Sequence, residues 1–530
     1  MRIFSIIPTI FIFCIYMFTI LSCNGSSTPT IPPPSNGDQP EPNNSPVSLF
    51  TVDPVQRAYK QGENVQFDGT SSFDPDQDAL TYEWDFTYDD STFLAGMTGP
   101  SLNYSLPSFG SVVAALRVTD SADTPLNDVS RLRLNVEPAG TLSNVTDGAF
   151  DEFMLRHAVV SQNDFYVLYT GINGTEEGVY VQRSSDLGET WGDPVLVSSE
   201  PDDRGPWGVW MDSAPFGIAL GWMANNGDIK YIKGEPSGVN SLSFSSKTTV
   251  GTTGVVVEKG FVPKPPVVYS IACTPDGSYC FIDYMTSASG MLNLIIIELN
   301  SGDVVSFETI GVKTDSSDRY NFSGSALTAS SQNRAYVTYI WKSLGYDNLD
   351  TVELYYVDAP STTLQGPIRA DSGLDGFIFN HDPGIILNSD NEPIVFFRTT
   401  GLYQGGKDVA ICISEGDPPV FGTTIRGNNL SGDSSLVAQN SPAIIMDNDH
   451  SHLWVAFEDF RDNKNVSEIY LTMFDDQMST LLPDFNISDD AAHIFSDINP
   501  RLVFNNGDST SLMVLWERNS EDIVAYHSSY

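Results

Sequence analysis

The sequence predicts an all-β chain of two folded modules: a β-sandwich over residues 47–138, then a β-propeller over residues 139–530 with seven blades favoured and six the alternative. Three observations carry that expectation. Short strand-like runs separated by turn clusters fill the first module. A repeated two-strand pattern recurs through the second at a near-constant spacing. Within it, the octet Ser184-Ser185-Asp186-Leu187-Gly188-Glu189-Thr190-Trp191 lies between the strand-like runs 178–183 and 194–197, as a tight hairpin requires. Its Ser and Asp side chains can satisfy turn amides, and Gly188 can take a positive φ.

The chain opens with Met1-Arg2 and an apolar run from Ile3 to Leu21, ending Ile20-Leu21-Ser22-Cys23. One basic residue, an apolar core and small residues before a cysteine read as an export signal over residues 1–22. An uncleaved anchor helix, which the length also permits, would orient the chain the same way. Ile-Leu-Ser-Cys resembles a bacterial lipobox, which implies cleavage before Cys23 and acylation of its sulfur. The resemblance therefore implies a lipoprotein held in the cell envelope, at the outer membrane or cell surface. Residues 23–46, with Pro32-Pro33-Pro34 and Pro40-Glu41-Pro42, have little to bury and are expected to form an extended disordered tether.

Basic residues number 26 against 68 acidic ones, a formal charge of −42, which disfavours nucleic acid as a partner. Hydrophobic residues at 41% and aromatics at 11% nevertheless mark a chain that can build cores. Of five cysteines, Cys14 lies in the signal and Cys23 at the lipid position. Cys273 and Cys280 flank the turn Thr274-Pro275-Asp276-Gly277 and are placed to form a disulfide across a hairpin. Cys412, in an apolar run, reads as an inert core thiol. No Cys/His spacing suits zinc.

In the first module the strand-like runs include Val65-Gln66-Phe67, 80–86, 112–118 and 132–136. Phe67-Asp68-Gly69-Thr70-Ser71-Ser72-Phe73-Asp74-Pro75-Asp76, with Tyr82-Glu83-Trp84-Asp85-Phe86 and Val118-Thr119-Asp120, resembles a PKD domain. That resemblance implies a spacer or binding module with Trp84 at its core. Asp74, Asp76 and Asp78 place three carboxylates on one turn, a set that suits calcium. No cofactor is required, and calcium is the one these residues allow.

The repeat of the second module pairs a small or proline residue and an apolar strand with a second apolar strand after a polar turn. Its anchors His157, Pro206, Pro266, Gly324, Pro383, Pro442 and Pro500 stand 49, 60, 58, 59, 59 and 58 residues apart. The last anchor leaves room for about three strands. Residues 140–145 can supply the fourth, closing the ring and hiding a sheet edge.

Ser184, Asp186, Gly188, Thr190 and Trp191 resemble the Asp-box of sialidase-like (BNR-repeat) propellers. There the box joins a blade's third and fourth strands on the face away from the site, and sialidases have six blades. The resemblance puts function on the opposite face, where first strands begin and second strands end. The ligand-binding candidates are Arg156, His157, Arg204, His381, Asp382, Arg398, Arg461, Arg501 and Arg518. Lys264, Asp283, Tyr284, Trp341, Lys342 and Glu517 occupy comparable positions. Catalytic candidates are Arg156, Arg398, Arg501, Glu458 and Asp459, because guanidinium clamps suit carboxylates and paired acids suit glycoside hydrolysis.

Three readings stay open. The first is an envelope-anchored, monomeric binding protein whose propeller mouth takes a glycan or protein ligand. The second is a sialidase-like glycoside hydrolase, although the family's Arg-Ile-Pro is replaced here by Leu155-Arg156-His157-Ala158 and only one Asp-box is well formed. The third is a scaffold of an envelope complex. No nucleophile elbow, zinc-protease motif or phosphate loop is present.

Overall fold

A computed structural model describes residues 42–530 except 56–58, 89–91, 108, 147–149, 174–175, 199–208, 225, 253–267, 286–291, 311–313, 316–317, 344–349, 373, 375–379, 401–407, 428–438, 448–450, 461–465, 489–495, 506–510, 520–521 and 530. The signal, Cys23 and most of the tether lie outside the described residues, as do Arg204, Lys264, Arg461 and the anchors Pro206 and Pro266. So do the side chains of His381, Trp341 and Lys342.

The first module is a sandwich of a three-stranded and a five-stranded sheet. Alternating strand residues face inward, as in Asn64–Asp68, where Val65 and Phe67 are buried between exposed neighbours. Trp84 is fully buried and meets Phe50 and Phe67 edge-on at 5.2 and 5.8 Å. Its indole N–H donates to the Gly99 carbonyl at 2.8 Å. Asn43 and Asn44, tether residues by sequence, bind this module through Asp120 and Asp76. Contacts with this module thus include residues before 47.

The second module comprises seven antiparallel sheets of four or five strands among the described residues. Their first strands are Phe150–Ser161, Val209–Ala214, Val268–Cys273, Asp318–Ala329, Asn380–Leu387, Gln439–Asp447 and Asp497–Asn505. First strands of neighbouring sheets touch all the way round, so they line an axis. A separate apolar cluster fills each of the seven gaps between sheets. The gap between the seventh and first sheets holds Met513, Leu515 and Ala525 against Leu155, Phe165 and Val167, closing the ring as a β-propeller. The strand Thr141–Asn144 completes the seventh sheet by pairing with Asp522–Ser529. No sheet edge is left between the two ends of the propeller sequence.

Burial on both faces explains why second strands read as unbroken apolar runs. In Ser511–Arg518, Leu512, Val514 and Trp516 face the sixth sheet while Met513 and Leu515 face the first. The joint between modules is short: the Tyr526 hydroxyl donates to the Pro138 carbonyl at 3.0 Å and that of Ser528 to Ala139 at 2.8 Å. A Cβ on Gly140 would sit 2.1 Å from the Tyr526 ring, so only glycine lets the chain pass. Phe109 of the sandwich reaches the propeller, its ring 6.0 Å from that of Trp454.

The proline anchors prove to be β-bulges. Register jumps from His381 to Gly384, from Asn440 to Ala443 and from Ile498 to Arg501. At each jump a residue of positive φ precedes proline: Asp382 (53°), Ser441 (46°) and Asn499 (55°). Proline has no amide to lose from a ladder, so a bulge accommodates it. The first strands of the first, third and fourth sheets jump at corresponding places without proline. The second sheet's first pair keeps its register.

The inner edge of a first strand exposes amides that need acceptors. Side chains on or beside the preceding sheet supply them: Asp212 to Cys273 N at 2.7 Å, Ser270 to Leu327 N at 3.2 Å and Asp350 to Asn380 N at 2.9 Å. Glu458 does the same for Asn499 N at 2.9 Å, and Glu517 for Leu155 N at 2.8 Å.

Candidate functional site

The end of the ring where the bulges lie gathers charged groups from sheets far apart in sequence. Arg156 is the bulged residue of the first sheet, lying between Leu155 and His157 in the register jump. Arg501 is the first paired residue after the bulge of the seventh sheet. Its Nε donates to the Arg156 carbonyl at 3.0 Å and its Nη1 to the Pro500 carbonyl at 2.8 Å. Backbone oxygens therefore hold this guanidinium, leaving both arginine charges unneutralised by direct ion pairs among the described residues.

Two carboxylates flank them. Glu517 is 3% exposed and accepts from Leu155 N at 2.8 Å and from Asn499 Nδ2 at 2.9 Å. Glu458, 6% exposed, accepts from Asn499 N at 2.9 Å. Asn499 thus ties both acids together from a bulge that requires φ of 55°. Burial, with Arg501 close by, lowers Arg156 to about 10, against the pull of Glu517. Burial also lowers Arg501, opposed by Glu517, Glu458 and Asp382. It raises Glu517, an effect countered by its bonds to Asn499 and Leu155 and by both arginines. His157, beside Arg501, is held neutral at about 3, mainly by burial, and its Nδ1 has no hydrogen-bond partner. Arginines keep their charge through these shifts, so the mouth presents two cations over two restrained anions.

Other candidates have partners of their own. Arg398 pairs with Asp382 at 3.1 Å across the fifth sheet's bulge. Arg518 grips Asp497 at 2.9 and 3.2 Å and donates to the Ser488 carbonyl at 2.9 Å. The strand register sets Asp497 directly opposite, so the arginine is spent on a rim ion pair. Asp459 is fully buried opposite Glu468, not beside Glu458 at the axis. Asp283 is fully buried, bonded to the Ser325 hydroxyl, and raised by burial to about 7. Tyr284 packs in the apolar cluster between the second and third sheets. Cys273 and Cys280 stand opposite each other in register, joined as a disulfide.

The octet joins the third and fourth strands of the first sheet, at the end away from the bulges. The Ser184 hydroxyl accepts from Gly188 N at 2.8 Å and donates to Asp186 at 2.7 Å. Asp186 accepts the Thr190 amide at 2.9 Å and also the Thr190 hydroxyl. Gly188 has φ of 86°, and Trp191 packs against the cluster between the seventh and first sheets. The turn is a fold element.

In the sandwich, Asp74 Oδ1 accepts the amides of Asp76 and Asp78, while Asp76 accepts two bonds from Asn44. Among the described residues no three acidic, histidine or cysteine side chains converge to hold a metal ion. Asp78 is raised by partial burial and by the carboxylates of Asp74, Asp120 and Asp76.

Sequence reasoning missed Asn499. A small amide before an anchor proline was the available signal, since that bulge position needs positive φ.

A family model described as PKD domain matches residues 45–136. No curated protein matches the chain. Among solved structures, the phage phi92 endosialidase is similar at 11% identity, over 76% of this chain and 71% of that one, with a TM-score of 0.42. An oligogalacturonate lyase in complex with manganese is similar at 9% identity, over 74% and 93%, with a TM-score of 0.42. The β-propeller domain of the Trilobed protease from Pyrococcus furiosus follows at 8% identity, over 72% and 95%, with a TM-score of 0.39. Likeness this distant transfers no chemistry to the present chain.

Proposed function

We propose that this chain is a lipid-anchored envelope protein whose propeller mouth binds a ligand bearing an acidic group, a glycan before a protein. The observation that carries the reading is the Arg156–Arg501 pair. Among the described residues the Arg156 side chain makes no hydrogen bond or ion pair, and Arg501 donates to the carbonyls of Arg156 and Pro500. Guanidinium groups favour planar, bidentate partners such as carboxylates, and partial burial strengthens that pairing. In a chain of net charge −42, two such cations at one end of the axis are a selective feature. The apolar N-terminal run ending at Cys23 and the sandwich module after it support the reading of display away from a membrane surface.

A second reading, a sialidase-like glycoside hydrolase, is favoured by Glu458 and Glu517 standing beside the same arginines. Acid catalysis benefits from a buried, raised carboxyl such as Glu517.

One experiment separates them. The full chain is applied to a glycan array and incubated with fluorogenic sialosides and other aryl glycosides. Binding to carboxylate-bearing glycans without turnover is expected, weakened by about tenfold or more in Arg156→Ala, the scale of a lost charge-assisted pair. Turnover abolished by Glu517→Gln would replace the binding reading with the hydrolytic one. Binding unchanged in Arg156→Ala would remove the mouth from the account.

A further inference from the structure

We propose that the end of the propeller opposite the mouth carries a separate docking site, a cavity between the fifth and sixth sheets that takes a lysine side chain of a partner protein. At this end turns of neighbouring sheets clasp one another. Asn240 Nδ2 donates to Thr190 Oγ1 at 3.0 Å between the second and first sheets. The Ser331 amide donates to Asn391 Oδ1 at 3.3 Å between the fourth and fifth. The gap between the fifth and sixth sheets opens into a cavity of about 90 Å³. It is lined by residues from the turn after each first strand and from the turn 475–479.

The base of the cavity is apolar. Ile394 and Leu453 are each 1% exposed, and Ile413, Met446 and Met478 are partly buried around them. The space equals roughly three waters at about 30 Å³ each, but apolar walls offer water few partners and favour a short aliphatic chain. Thioether side chains adapt to the path such a chain takes. Met478 holds φ of 61°, a conformation that costs least with glycine or asparagine. A methionine at that turn position is explained by the apolar surface it adds to the cavity.

The rim is acidic. Asp390 and Asp476 are exposed. Asp475 holds its turn by accepting the amides of Gln477 and Ser479 at 3.0 and 2.6 Å through Oδ1. Among the described residues no basic side chain lines the cavity. An apolar slot beneath carboxylates matches an aliphatic stem that ends in a compact cation, which is a lysine side chain. The tether 23–46 contains no lysine or arginine, and a second copy of the chain carries the same charge of −42. The lysine therefore comes from a different protein, which that charge draws in when it is basic.

The full chain is titrated with a short, end-blocked glycine peptide carrying one central lysine, and with its norleucine counterpart, by saturation-transfer NMR. Saturable binding of the lysine peptide is expected with a Kd of about 1 mM, the scale that roughly five non-hydrogen atoms reach. The norleucine peptide keeps the stem without the charge and should bind about fivefold more weakly or worse. Asp390→Asn with Asp476→Asn should bring the lysine peptide down to the norleucine level. Both side chains are exposed and Asp475 is spared, so native thermal unfolding is expected to persist in that double variant. Asp193→Asn with Asp303→Asn, at exposed positions elsewhere, is the control and should bind as the parent does. Absence of saturation, equal affinity for the two peptides, or equal losses in the two double variants would overturn the site. The last result would mark attraction to the charge of the whole chain.

Discussion

Arg501 and Arg518 belong to one sheet and read alike in sequence, yet they have opposite fates. Arg518 faces Asp497 across the ladder and pairs with it, whereas Arg501 lies past a bulge and donates to the carbonyls of Arg156 and Pro500. Asn499 enforces that bulge and ties Glu458 to Glu517. Asn499→Ala is therefore expected to destabilise the protein by about 2–4 kcal/mol, from strained φ and lost partners of buried acids. Urea unfolding measures this, and a change below about 0.5 kcal/mol, the range of surface substitutions, would contradict it. Asp283 sets a pH dependence. Its folded-state value is raised to about 7 by burial, so the folded protein keeps a proton that the unfolded chain releases near pH 4. Stability from this group is therefore fully present below about pH 4 and falls as pH rises toward 7, then levels. Asp283→Asn should flatten the profile between those limits by an amount on the order of 2–4 kcal/mol. Asp212, likewise raised by burial to about 7, adds a change of the same sign. An unaltered slope in Asp283→Asn would refute the assignment.

At the scale of the strand, two-sided burial governs. Trp516 is fully buried between the sixth and seventh sheets, so Trp516→Ala is expected to cost about 3–5 kcal/mol, a cavity-forming core loss. Thermal unfolding of the full chain checks it. This burial is also what made the repeat legible: second strands carry uninterrupted apolar runs, and prolines mark the first-strand bulges because a missing amide is harmless there. Pro383, Pro442 and Pro500 stand out for that reason. The first, third and fourth sheets bend without proline, at Arg156, Tyr269 and Ser323, and leave only a weak trace in the text. The octet was legible because Ser184, Asp186 and Gly188 act within a few residues of one another. Glu517 reaching Leu155 was not, because no local pattern encodes a contact across the ring seam. The same limit explains the triplet Asp74, Asp76 and Asp78. Spacing identified the turn, while Asn44, which binds Asp76, comes from elsewhere in the chain.

For the whole molecule, closure is what turns scattered arginines and acids into one mouth. The strand Thr141–Asn144 pairs with Asp522–Ser529, and that seam brings Arg156 beside Arg501. The three-residue joint at 138–140 ties the sandwich to the same seam through Tyr526 and Ser528. Asn144 and Val524 are register partners across it. Antiparallel partners lie about 4.5–5.5 Å apart at Cα, within reach of a disulfide. The most direct measurement is oxidative cross-linking of the full chain carrying Asn144→Cys and Val524→Cys, read by mass spectrometry of the digested protein. Near-complete formation of that cross-link in the folded protein is the expected result. Free, alkylatable thiols at both positions, with native thermal unfolding retained, would mean that the ring is not closed there and that the mouth does not exist as described.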